Sequence, residues 1–167
     1  SVIAVDISDE MIKEAKDFTK KANNIDFLTS ESENMNIELE SVDKIICFAA
    51  FDAMYQKKAL FEFNRVCKKG GKLLITGKND NYIEDDTEAK IAEEAARGKG
   101  HPNYFTDVRT LFDNIFSFGF DIEYVEYYQR RGDFANRIFS TKMPTKFYEY
   151  VAILKKTKLA FAISNLP

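Results

Sequence analysis

The chain has 167 residues, 45% of them hydrophobic, with 15 Phe and 8 Tyr. This is one domain's worth of sequence, with enough apolar side chain to build a core without disulfides or a structural metal. A formal net charge of −3 argues against a nucleic-acid surface driven by nonspecific phosphate contacts, and no apolar run approaches the roughly 18–20 residues of a membrane span.

Residues 1–6 ("SVIAVD") read as a buried strand ending in an acid. A helix follows, with Ser8 as its cap, Asp9 and Glu10 at its positive end, and Met11, Ile12, Ala15, Phe18 and Ala22 on one apolar face. Ile25–Leu28 is a short strand, and the polar stretch "TSESENMN" leads out of it. Val42–Phe48 is the next strand, continuously apolar at Ile45–Phe48 as in strands covered on both faces. A helix over about 55–68 buries Ala59, Leu60, Phe63, Val66 and Cys67, with Gly70-Gly71 expected to end it. Lys72–Thr76 is the next strand.

Strand and helix alternate up to residue 76, which is the pattern of a parallel sheet flanked by helices. Residues 77–105 form a polar insertion with a small-residue helix near 86–97. Thr106 is expected to cap an amphipathic helix burying Val108, Leu111, Phe112, Ile115 and Phe116 up to Gly119. Phe120–Tyr128 and Phe147–Leu154 then read as an antiparallel pair, because the segment 129–146 between them lacks a helical crossover pattern.

Cys47 and Cys67 sit inside apolar patterns, which suits reduced core thiols of a cytoplasmic protein. With a single histidine they do not make a zinc set, and no secretory pattern opens the sequence.

Asp6, at the tip of a parallel strand, stands where such sheets bind ligands and can accept from both hydroxyls of a ribose; it equally suits a strand-end acid that helps the next helix start. Glu31 and Ser32 in "SESEN" offer a carboxylate and a backbone N–H to an adenine edge, or form a solvated acidic loop. In series, "VDISDEMI", "SESEN", "VDKIICFAAFDAM" and "RVCKKGGKLLI" resemble the class I S-adenosylmethionine-dependent methyltransferases. The last of these is similar to that family's Arg-Val-Leu-Lys-Pro-Gly-Gly turn, with Cys67 and Lys69 as variant positions.

The resemblance implies a Rossmann-like fold, a three-layer α/β sandwich whose mostly parallel sheet carries an antiparallel terminal strand, in one domain over 1–167. It implies S-adenosyl-L-methionine as cofactor, bound by Asp6, Ile7, Met11, Glu31, Ser32, Cys47 and Phe48. The family's first strand and glycine loop have no counterpart here, so the fold reads as N-terminally truncated: a fragment, or a domain completed by a partner chain, neither very stable nor a normal cofactor binder alone.

The family's reaction is in-line transfer of a methyl group, here to a small-molecule acceptor and more readily at oxygen. "CFAAFDAM" lacks the Asn/Asp-Pro-Pro-aromatic sequence of base amino-methylating relatives. Acceptor-side candidates are Asp52, Tyr82, Tyr104, Arg130 and Arg131, with His101 as the most economical general base. A basic hairpin loop at 129–146 over the crevice would suit an anionic acceptor, although a solvated hairpin explains its charges too. Oligomeric state stays open, as do two other functions: a nicotinamide-dependent oxidoreductase, and a noncatalytic binding or assembly module.

Overall fold

Local chemistry at the first turn sets the pattern for the rest of the chain. The strand β1 (Val2–Asp6) gives way to α1 (Asp9–Phe18), whose first turn is capped by Ser8 accepting from the Met11 N–H. β2 (Ile25–Thr29) pairs in parallel with β1, placing Asp6 opposite Thr29. β3 (Val42–Cys47) is followed by a 3-10 turn at Phe51–Ala53, α2 (Gln56–Val66) and β4 (Cys67–Lys78). Then come α3 (Thr87–Gly98), α4 (Val108–Asp113) and a 3-10 turn at Ile115–Phe118. β5 (Phe120–Tyr128), the one-turn α5 (Asp133–Asn136) and β6 (Glu149–Lys156) complete the order. The structure, a computed structural model, describes residues 1–100 and 105–160.

The chain is mixed α/β, as its alternation predicts. Its strands form two sheets: β1 with β2, and a four-stranded sheet in the order β3-β4-β6-β5. β3 and β4 run parallel, whereas β6 lies between β4 and β5 and is antiparallel to both. Among the described residues, β1 pairs only with β2 and β3 only with β4, so each keeps one unpaired edge. The core lies on one face of the larger sheet, where Ala59, Leu60, Phe63 and Val66 of α2 meet Leu73, Ile75 and Leu154. Phe112, Ile115 and Phe118 extend it, with the Phe61 and Phe118 rings 5.0 Å apart.

Several expectations change at this level. Val42–Phe48 is not covered on both faces: Ile46 is 75% exposed, and Tyr124, in the same cross-strand row through Leu74 and Ile153, is exposed too. α1 buries only Ile12 fully. It stops at Phe18, and a two-stranded sheet is too narrow to cover Met11 or the 92% exposed Phe18.

Gly70 takes a positive φ, but the helix before it has already ended at Val66. The two glycines instead lie in β4, where the register against β3 slips between Val42 and Lys44. Asp107, not Thr106, caps α4 by accepting from the Thr110 N–H at 3.0 Å, while the Thr106 hydroxyl accepts from Gln56. The switch to 3-10 geometry after Asp113 turns Phe116 outward and Phe118 into the core.

Candidate functional site

Two groups of side chains gather at the carboxyl ends of the parallel strands. The first is held by β1 and β2. One oxygen of Asp6 accepts from the Ser8 N–H at 2.8 Å, and its other carboxylate oxygen has no hydrogen bond among the described residues. Ser30 donates its N–H to the Asp6 carbonyl at 2.9 Å, which sets the turn carrying Glu31 and Ser32 beside Asp6. Ile7 and Met11, just past the strand tip, expose apolar side chains on the same rim. A diol and a flat apolar ring fit this arrangement, so the residues present match the nucleoside half of a cofactor.

The second group is built on β3, β4 and β6. The loop after β2 reaches it, since Glu33 accepts from the Tyr55 N–H at 2.7 Å. Cys47 ends β3 in the core, where burial, then the charges of Asp52 and Glu33, push its thiol up to about 12. Phe48 points out and meets Phe134 of α5 at 5.9 Å, while Tyr128 lies 5.2 Å from Phe134 and 6.0 Å from Phe139. The loop at 129–146 thus lays an aromatic wall beside the end of β3.

Asp52 leaves the 3-10 turn after β3 and docks on the end of β4. Both of its oxygens accept from the Lys78 N–H at 3.2 Å, and the Lys78 ammonium lies 3.3 Å away. Burial outweighs Lys78 and raises the Asp52 carboxyl to about 6. Glu149, paired with Lys78 across β4 and β6, is likewise raised by burial. Behind them the Tyr150 hydroxyl is buried with no hydrogen-bond partner among the described residues.

The remaining sequence candidates have other surroundings. Tyr82 donates to Glu93 at 2.7 Å and packs edge-on to Phe105 and Tyr148. Arg130 pairs with Asp85 at 2.9 Å; Arg131 donates its backbone N–H to Asp86 and its guanidinium to the Glu88 carbonyl. With the Lys146–Glu84 pair, these contacts fasten the loop at 129–146 to the insertion. His101 and Tyr104 lie outside the described residues.

Sequence reasoning missed Lys78, Glu149, Tyr150 and Phe134. The charged ends of two apolar strands, "LLITGK" and "EYVAIL", were the available signal for Lys78 and Glu149. Tyr150 and Phe134 carried none. Among the described residues, no group of three or more His, Cys, Asp or Glu could hold a metal ion, and no helix is long and apolar enough to cross a membrane.

Residues 1–75 match a family model described as a methyltransferase domain. An S-adenosylmethionine-dependent methyltransferase from Thermotoga maritima superposes with a TM-score of 0.68 at 21% identity, over 93% of this chain and 72% of that one. The chain has the fold of the class I S-adenosylmethionine-dependent methyltransferases. A second such protein, from Methanosarcina mazei, gives a TM-score of 0.61 at 15% identity, over 93% of this chain and 81% of its own. The cyclase SpnF matches as well, with a TM-score of 0.66 at 13% identity over 93% of this chain and 66% of that one. A fold shared with a cyclase does not fix the reaction, which has to come from the site. No curated protein sequence matches the chain.

Proposed function

We propose that this methyltransferase-fold chain binds S-adenosyl-L-methionine and transfers its methyl group to an oxygen of a small-molecule acceptor. The observation that carries the reading is Asp6: a carboxylate at a parallel-strand tip, one oxygen fixed by the Ser8 N–H and the other available, flanked by exposed Ile7 and Met11. Asp6 would accept from the two ribose hydroxyls, Ile7 and Met11 would lie against the adenine, and Glu31 and Ser32 would meet its edge. Cys47 and Phe48 supply the wall at the end of β3. When bound, the cofactor supplies a methyl group already activated by positive charge, which leaves the protein alignment and water exclusion as its main tasks.

On the acceptor side the arrangement offers Asp52 and the Phe48–Phe134–Tyr128 wall. Arg130 and Arg131 could meet an anionic acceptor only by leaving the insertion residues that now hold them. The sequence candidate for the base, His101, lies outside the described residues.

Thermal unfolding of the intact protein with S-adenosylhomocysteine or NADH tests the cofactor. S-adenosylhomocysteine is expected to raise the melting temperature and NADH to leave it unchanged. Asp6→Asn is expected to weaken S-adenosylhomocysteine binding at least tenfold, consistent with loss of a charge-assisted hydrogen bond of about 1.5–3 kcal/mol. Equal binding by the variant, or stabilisation by NADH alone, rejects the assignment.

A further inference from the structure

Asp52 sits at an unusual junction. Its side chain is 13% exposed, enough for a ligand on the rim to touch it, yet its oxygens are otherwise held by Lys78. Just behind it the buried Tyr150 hydroxyl has no partner among the described residues, a costly state for a polar group out of water. The two converge on Gly77, where an added Cβ would lie 2.8 Å from the Tyr150 oxygen and 2.9 Å from Asp52 Oδ1. A glycine there keeps clear the spot on which a carboxylate and an unused hydroxyl both bear.

We propose that Asp52 takes the proton from a neutral hydroxyl of the acceptor, so that the substrate class is an alcohol or a phenol. This rests on the methyltransferase reading. The charged and titratable groups around Asp52 are Lys78 on β4, Glu149 and Tyr150 on β6, Tyr148 just before β6, Cys47 on β3 and, next to Cys47, Glu33, with Arg131 acting on Glu149 and Tyr148. Three carboxylates, Asp52, Glu149 and Glu33, therefore face two cations, Lys78 and Arg131.

An anionic acceptor meets net negative charge in this site. An ammonium is held there in its charged form, with no lone pair to attack. A hydroxyl donates to Asp52 and keeps a lone pair on oxygen, and the nearby aromatic wall suits a flat apolar body. In the transfer, that pair forms the O–CH3 bond as the C–S bond breaks. The C–S electrons stay on sulfur as a neutral thioether, and the O–H proton passes to Asp52, leaving a neutral carboxylic acid.

The test is carboxyl-carbon NMR on the intact protein, with the Asp52 signal identified by its loss in Asp52→Asn. Phenol is the probe, against toluene, benzoate and benzylamine. Phenol is expected to shift the Asp52 signal saturably while toluene and benzoate leave it in place. No response to phenol, or a stronger one to benzylamine, overturns the proposal. S-adenosylhomocysteine stabilisation, run beside these measurements on wild type and Asp52→Asn, separates the two readings. If it is absent in wild type the methyltransferase reading fails, and if it persists without a phenol response only the Asp52 assignment fails.

Discussion

The carboxylate of Asp52 is the residue at which site chemistry and folding energetics oppose each other. Its folded pKa of about 6 lies above the ordinary 3.8 because burial outweighs the attraction of Lys78. A carboxylate shifted upward binds its proton more tightly when folded. Its contribution to stability is then fully present below pH 3.8 and is lost as pH rises through about 6. At pH 7.5 the ionised group is a burden, so Asp52→Asn is expected to stabilise the fold by about 2 kcal/mol. The gain should fade toward pH 4, where both side chains are neutral. Denaturation midpoints of the two proteins between pH 4 and 8 measure it, and a gain independent of pH would contradict the account. Sequence could name Asp52 as a polar residue after a strand; it could not give the burial that sets its pKa, because that burial comes from β4 and β6, distant in the chain.

At the level of elements, Gly119 and Gly70 separate two reasons for a glycine. Both have φ of 79°. Around Gly70 an added Cβ would meet nothing within 4 Å, whereas at Gly119 it would lie 2.4 Å from the Lys158 carbonyl and 2.5 Å from the Asn64 amide nitrogen. Those contacts are a junction, since Asn64 of α2 donates to the Lys158 carbonyl at 3.0 Å and accepts from the Ala160 N–H. Gly70→Ala should cost only the left-handed backbone penalty, about 1 kcal/mol. Gly119→Ala must add displacement of packed backbone and is expected to cost about 3 kcal/mol. Urea unfolding of the two variants side by side gives the comparison, and equal losses would show that the junction yields.

The elements themselves were largely legible, because each carries its own local signal. Ser8 caps as its hydroxyl predicts, β5 runs from Phe120 to Tyr128 as its apolar run predicts, and Gly119 ends the turn before it. The errors fall where tertiary context decides. Phe18 fits the helical period of α1 but has no sheet beneath it, and Thr106 loses the capping position because Gln56 claims its hydroxyl. The site was half legible for the same reason. Asp6 and Ser8 act through neighbours in sequence, whereas Asp52, Lys78, Glu149 and Tyr150 meet only after β6 inserts between β4 and β5.

The whole molecule is divided by its sheets, and the candidate cofactor site straddles the division. Asp6, Ile7, Met11 and Glu31 belong to the β1–β2 unit, while Cys47, Phe48 and Asp52 belong to the four-stranded one. Polar links between them include Glu33 with the Tyr55 N–H, Glu62 with the Met35 N–H, and Arg65 with the Met35 carbonyl. Among the described residues no strand ladder joins β1 to β3. A small unit with two unpaired strand edges and an exposed helix face opens at lower free energy than a sheet backed by α2. Amide exchange should therefore be faster in β1 and β2 than in β4 and β6. A ligand gripping both units stabilises their docked state by about 2.7 kcal/mol at 100 times its Kd. S-adenosylhomocysteine at that level is then expected to slow exchange about 100-fold in β1 and β2, with a smaller effect in β4 and β6. Uniform protection across all six strands would mean that the two sheets already open as one body, and protection confined to β4 and β6 would place the ligand away from Asp6.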